Sequence, residues 1–243
     1  MTEAFIFVFL GVMAASFIQR VTGFGFGIFI MTILPFIMPS YAEATALSGT
    51  LAMVTAFLTA VKYRKAVNWK KLLPILLTFI VVSFFAVLLL GSVNDRSLKL
   101  VLGVIMIVVS IYFFFFSERI HLPPTLPVQF GMGSLSALMG GLFAMQGPPA
   151  IVYFVSSAED KDEYIALTQW YFFLGNLALT FFRASHGFLT PTVGKMWLVG
   201  LPAGFLGLYL GEKVYKKLPA RTIRKVVYAY MALAGILTLI FAR

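Results

Sequence analysis

Not one cysteine occurs in these 243 residues, so disulfides and thiol chemistry are excluded, with no bearing on the compartment. Histidine is nearly as scarce. His121 and His186 both fall near expected loops, no metal-ligand spacing surrounds them, and Ser185-His186 is only an adjacent pair. No enzyme motif is legible, and neither catalysis nor a cofactor is expected. Charged residues make up 12% of the chain, against roughly 25% in a typical soluble domain. No Asp or Glu falls inside an apolar stretch, which disfavours a side-chain proton relay and a carboxylate-built cation site. No stretch is long and polar enough to make a soluble domain.

What the chain does contain is apolar length. Hydrophobic residues are 60% of it, and stretches near 4–19, 44–61, 72–91, 98–117, 126–145, 164–182, 192–211 and 222–241 approach or reach the ~20 residues that span hydrocarbon. An all-α polytopic membrane protein follows, with the lipid bilayer as its first partner. Met1-Thr2-Glu3 lacks the positive n-region of a signal peptide, so 4–19 is expected to be a retained membrane segment. The net charge of +10 is not a nucleic-acid signal. Eleven of the nineteen Lys and Arg lie in two short loops, 62–71 and 212–225. Basic loops beside membrane segments mark the cytoplasmic side.

The apolar pattern breaks twice, at Arg20-Val21-Thr22-Gly23-Phe24-Gly25-Phe26-Gly27 and at Ala144-Met145-Gln146-Gly147-Pro148-Pro149. Gly147 follows Gly25 by 122 residues, about half the chain, and the same offset pairs Gly11 with Gly133 and Ala15 with Ala137. Interrupted segments at corresponding points of two halves point to a transporter's binding site. The basic bias swaps between equivalent loops, as inverted repeats require. Inversion needs an odd number of crossings per half. The short apolar runs after each break, ~12 residues to Met38 and about eight to Ser156, are half-helices at 1.5 Å per residue. The expected architecture is two inverted repeats, 1–121 and 122–243. Each would hold an interrupted or re-entrant helix pair plus three transmembrane helices, giving eight to ten membrane segments. Ser40 before Glu43, and Asp160 before Glu163, fit helix caps rather than proton-carrying carboxylates.

The site is expected between the breaks. Arg20 is the only charge between Glu3 and Glu43, and a charge in a membrane segment costs ~2.5–3.5 kcal/mol, so it is a functional candidate. Its planar donor fork suits oxyanions. Gly23, Gly25 and Gly27 leave backbone N–H groups free to face a ligand, and the helices after each break add positive dipole ends. Pro149 suits a first helical turn. Thr22 and Gln146 supply neutral donors, and Gln169 shares a helix face with Asn176. The expected substrate-binding residues are Arg20, Thr22, Gly23, Phe24, Gly25, Gln146, Gly147, Pro148 and Gln169, around a small anion. Arg183, near an outer helix end, is expected to be an interface anchor, and the run Tyr112–Phe116 to face lipid. Gly200, Gly204, Gly207 and Gly211 form a small-residue stripe for a close helix contact.

Gly23-Phe24-Gly25-Phe26-Gly27 with Pro35 behind it, Gly147-Pro148-Pro149 in the second half, the segment from Leu201 to Gly211, Leu218-Pro219 and the basic start at Arg221 together resemble the sulfite exporter TauE/SafE family. The resemblance runs over nearly the whole chain. It implies a prokaryotic plasma-membrane transporter of small anions such as sulfite or organosulfonates. Phe24 and Phe26 depart from the commoner triple-glycine pattern and suit a substrate with a small carbon part. The expectation is a secondary transporter that alternates access by moving one repeat against the other. An anion channel using the same helix ends is the alternative. A coupling ion, proton or sodium, and a homodimer are left open.

Overall fold

The computed structural model of the chain describes residues 2–115, 122–215 and 220–241, with side chains described except at 2, 215 and 220–227. His121 and the segment 216–219, with its Leu218-Pro219, lie outside the described residues, as does the Arg221 side chain. The described chain is helical throughout. Its elements are α1 (Thr2–Thr22), α2 (Phe26–Ile30), α3 (Leu34–Ile37), α4 (Tyr41–Lys62), α5 (Trp69–Leu90), α6 (Asp95–Phe115), α7 (Leu126–Phe143), α8 (Gly147–Ser157), α9 (Lys161–Ser185), α10 (Pro191–Tyr215) and α11 (Ala220–Phe241). Seven of them, α1, α4, α5, α6, α7, α9 and α10, are long and apolar enough to cross a membrane.

Local chemistry sets the helix starts. Ser40 Oγ accepts the Glu43 N–H at 3.2 Å, and Asp160 Oδ1 accepts the Glu163 N–H at 2.8 Å. Both are the N-caps expected from the sequence, each satisfying a donor the helix itself leaves unpaired. The carboxylates serve further contacts. Thr190 Oγ1 donates to Glu43 Oε2 at 2.8 Å, and Lys71 Nζ donates to Glu163 Oε1 at 2.9 Å.

The first half-helix departs from expectation. The run from Gly27 to Met38 is two pieces, α2 and α3, separated by a turn at 31–33. Pro35 is the reason: it has no N–H to give Met31, and its ring would clash with that carbonyl, so one continuous helix is excluded. A second difference is that α1 runs on to Thr22, carrying Arg20 within its last turn.

Four close pairings organise the bundle: α1 with α10, α5 with α7, α4 with α9, and α6 with α11. The glycine stripe of α10 does seat a close contact, with α1. A Cβ on Gly211 would stand 2.7 Å from Arg20 Cβ, and one on Gly207 would collide with the Met13 carbonyl. On α7, a Cβ on Gly133 would stand 2.9 Å from the Ile75 carbonyl of α5. Gly103 of α6 and Gly235 of α11 face each other, each Cβ position within 3 Å of the other's carbonyl. Side chains also tell which helix ends meet. Lys62 at the end of α4 pairs with Glu212 near the end of α10 at 3.6 Å, and Lys71 near the start of α5 meets Glu163 near the start of α9. Glu43 at the start of α4 meets Thr190 just before α10, and the Tyr41 N–H donates to Asp95 at the start of α6 at 2.8 Å.

Candidate functional site

The two breaks touch. The chain leaves α1 through Gly23 at φ +88° and enters α2 through Gly25 at φ +100°, both left-handed backbone conformations that an L side chain rarely adopts. It leaves α7 through Ala144 at φ +54°. That is the described residues' one non-glycine in this region, a conformation costing an L-residue roughly 1–2 kcal/mol. Gly27 lies against Ala144, where a Cβ would collide with the Ala144 carbonyl, so the first turn of α2 rests on the end of the second break.

Between them lies a small cavity lined by Gln19, Gly25, Gly27, Ala52, Ala144, Gln146, Gly147, Phe172 and Asn176, among others. Ala52 is the midpoint of α4, which puts the cavity at mid-depth of the bundle. Its volume of about 30 Å³ holds one or two waters. The donors around it are neutral and oriented. Thr55 Oγ1 donates to Gln19 Oε1 at 3.1 Å, and Asn176 Nδ2 donates to the Phe172 carbonyl at 2.9 Å. The α8 N-terminus begins at Gly147 on the cavity wall and brings the positive end of an eleven-residue helix. On the other side, α2 has only five residues, so the dipole expected from it is slight.

The expected site residues divide three ways. Gly25, Gln146 and Gly147 line the cavity. Thr22, Gly23, Phe24, Pro148 and Gln169 shape the breaks. Thr22 Oγ1 caps its own segment through the Ile18 carbonyl at 2.9 Å and the Phe24 carbonyl at 2.6 Å, and Gln169 Nε2 holds the Gly23 carbonyl at 2.9 Å. Pro148 sits in the first turn of α8. The Phe24 ring packs on Phe113 and Tyr228, with centroids 5.3 and 6.4 Å away, and its edge lies against Gly147. Phe113, expected to face lipid with its neighbours, is therefore buried in an aromatic cluster, while Phe114 and Phe115 are exposed. Ser136 Oγ braces the second break by donating to the Gln146 carbonyl at 2.5 Å, and Tyr171 OH donates to Ser136 at 2.8 Å.

Arg20 stands apart from the others. Its guanidinium is ion-paired with Glu212 of α10 and does not line the cavity. The residue missed from sequence is Arg183. Expected at an interface, it is fully buried, and its Nη2 donates to the Gly140 and Gly141 carbonyls at 2.9 and 3.2 Å. Those carbonyls belong to the last turn of α7, where Gly140 also accepts the Ala144 N–H at 3.1 Å. Position near a helix end suggested exposure; only the packing of α4, α7 and α9 reveals otherwise.

A multi-helix membrane bundle with a polar-lined cavity between two mid-depth helix breaks has the anatomy of a membrane transporter. Comparison with family models places the chain more narrowly. The model for "Sulfite exporter TauE/SafE" matches residues 7–238, nearly the whole length, and the chain belongs to that family of membrane transporters. No match was found among curated proteins or among solved structures.

Proposed function

We propose that this chain is a secondary transporter of a small sulfur oxyanion or organosulfonate in a prokaryotic plasma membrane. The anion binds between the two breaks, and access to it alternates between the two faces. The observation that carries this reading is the direct apposition of the breaks, Gly27 on Ala144, around a cavity whose polar groups are amide donors and a helix N-terminus, with no carboxylate. Gly25, Gly27, Gln146 and Gly147 would meet the anion, joined by Gln19 and Asn176. Thr22, Gly23, Phe24, Pro148 and Gln169 hold the breaks in shape, and Arg20 ties α1 to α10 behind them.

The repeats 1–121 and 122–243 are inverted on this reading. Exchanging α1, α2–α3, α4, α5 and α6 for α7, α8, α9, α10 and α11 turns the α1–α10 pairing into α7–α5 and returns α4–α9 and α6–α11 to themselves. The end of α4 meets the end of α10, whereas the start of α5, the counterpart of α10, meets the start of α9, the counterpart of α4. Counterparts that run in opposite senses support a two-fold axis in the membrane plane. The same contacts bring the 62–71 loop and the end of α10 to one face, as the positive-inside pattern asks.

An oxyanion has several heavy atoms where a water has one, so a cavity of about 30 Å³ must widen to admit it. A channel using the same helix ends would instead carry unsaturable flux. The test uses the absence of native cysteine. Purified protein in liposomes should carry sulfite with saturable flux. A single Ala52→Cys, at the cavity wall, should react with an impermeant thiol reagent from either side and be protected by sulfite. Unsaturable flux, or labelling unaffected by any sulfur oxyanion, would overturn the proposal.

A further inference from the structure

Arg183 has capacity that its structural contacts do not use. One nitrogen, Nη2, holds both α7 carbonyls. The other two, Nε and Nη1, are buried and have no hydrogen-bond partner, and no carboxylate among the described residues lies within ion-pair distance. Bracing two carbonyls asks for a neutral donor. Burying a full guanidinium for that purpose alone adds the desolvation of a charge with nothing to offset it.

One spare donor, Nη1, lies beside a cavity-lining residue. Arg183 is in the last turn of α9, and its side chain runs back along the helix, the direction helical side chains take. A Cβ on Gly49 of α4 would stand 2.6 Å from Arg183 Nη1 and 3.4 Å from Asn176 Oδ1. The guanidinium edge and the cavity-lining Asn176 thus flank one bare patch of α4 backbone.

We propose that Arg183 is an anion-binding residue. Its Nη1 donates to the oxyanion at a subsite against Gly49, adjoining the central cavity at Asn176. The assignment rests on the anion-transport reading above and supplies the positive charge that the central cavity lacks. The ligand chemistry is an oxyanion that accepts a charge-assisted N–H donor, as sulfite and sulfonate groups do. Entry of such a group gives the buried cation its counter-charge and its Nη1 a missing hydrogen bond. Gly49 is glycine on this account because a methyl there would stand where the Nη1 donor must stay open.

The experiment is the anion dependence of thermal stability in detergent-purified protein, titrating sodium sulfite against sodium chloride at matched ionic strength. Wild-type protein is expected to show a saturable rise in its midpoint. Arg183→Gln, whose amide can still hold an α7 carbonyl, should need roughly tenfold to hundredfold more sulfite, the range for losing hydrogen bonds to a charged group. Arg183→Lys should recover part of that loss. Gly49→Ala, which keeps the arginine but crowds its Nη1, should also shift the titration to higher sulfite, and it decides the matter if Arg183→Gln fails to fold. Lower midpoints with unchanged sulfite dependence would make Arg183 a strut for α7 and overturn the assignment while leaving the transport reading standing. Absence of any anion response in the wild-type chain would overturn the transport reading, and this subsite with it.

Discussion

Replacing Gly27 with Ala adds a single methyl group at the contact between the breaks. The backbone of Gly27 is not left-handed, so alanine costs nothing in φ, and in a helix it gains up to about 1 kcal/mol over glycine. Any loss therefore comes from the contact alone. The methyl would collide with the Ala144 carbonyl, with Ala144 C 3.1 Å and Met145 Cα 3.8 Å away, all of them backbone atoms that no rotamer change can move. Overpacking of this kind costs typically 1–3 kcal/mol. Less the helix gain, Gly27→Ala should destabilise by about 1–2 kcal/mol and hold the breaks apart. Denaturant titration of purified protein reads the first effect, and sulfite flux in liposomes the second, with flux falling at least about tenfold if geometry within 1 Å matters as it does in other sites. Unchanged stability and flux together would refute the apposition of the breaks and the site built on it.

Gly23→Ala and Gly25→Ala should each cost about 1–2 kcal/mol, because both residues are left-handed. Only Gly25→Ala should also weaken sulfite protection of Ala52→Cys, since Gly25 lines the cavity and Gly23 faces the Tyr164 ring. Equal effects on protection would remove Gly25 from the site. For the ion pair behind the breaks, Arg20→Gln and Glu212→Gln should each lower stability, and the double variant should lose less than their sum, by about 0.5 kcal/mol or more, as contacting partners do. Strict additivity in that cycle, with sulfite affinity lost only in Arg20→Gln, would return Arg20 to the substrate.

Most of the architecture was legible because its causes are local. Helix caps at Ser40 and Asp160 are spelled out by residues three apart, the breaks by glycine and proline, and the α10 seam by glycines on one face. The surroundings of the two arginines were not legible, and for one reason. Arg20 adjoins a break in sequence, but its partner Glu212 is 192 residues away. Arg183 looks terminal in sequence, but α4 and α7 close over it. A side chain's neighbours across a helix interface are set by packing between distant segments, which no local pattern encodes. Asn176 and Gln19 were hidden likewise, being ordinary polar residues on apolar helices until the bundle brings them to one cavity.

The packing also bears on which bodies move. The glycine-seated contacts are not within the halves but between them: α10 closes on α1, and α7 on α5. Rocking one sequence half against the other would shear both seams, where backbone meets backbone and close packing leaves no intermediate position. Motion that spares them takes α1 with α10 as one body and α5 with α7 as another, parting where Gly27 meets Ala144 and pivoting on the α4–α9 pair. A cross-link separates the two schemes. A Cβ on Gly204 would stand 3.5 Å from the Ser16 hydroxyl, so Ser16→Cys with Gly204→Cys should form a disulfide between α10 and α1 in a chain otherwise free of cysteine. If the cross-paired bodies are the moving parts, the oxidised protein keeps its sulfite flux, because the bond lies inside one of them. If the halves themselves rock, oxidation stops transport and reduction restores it.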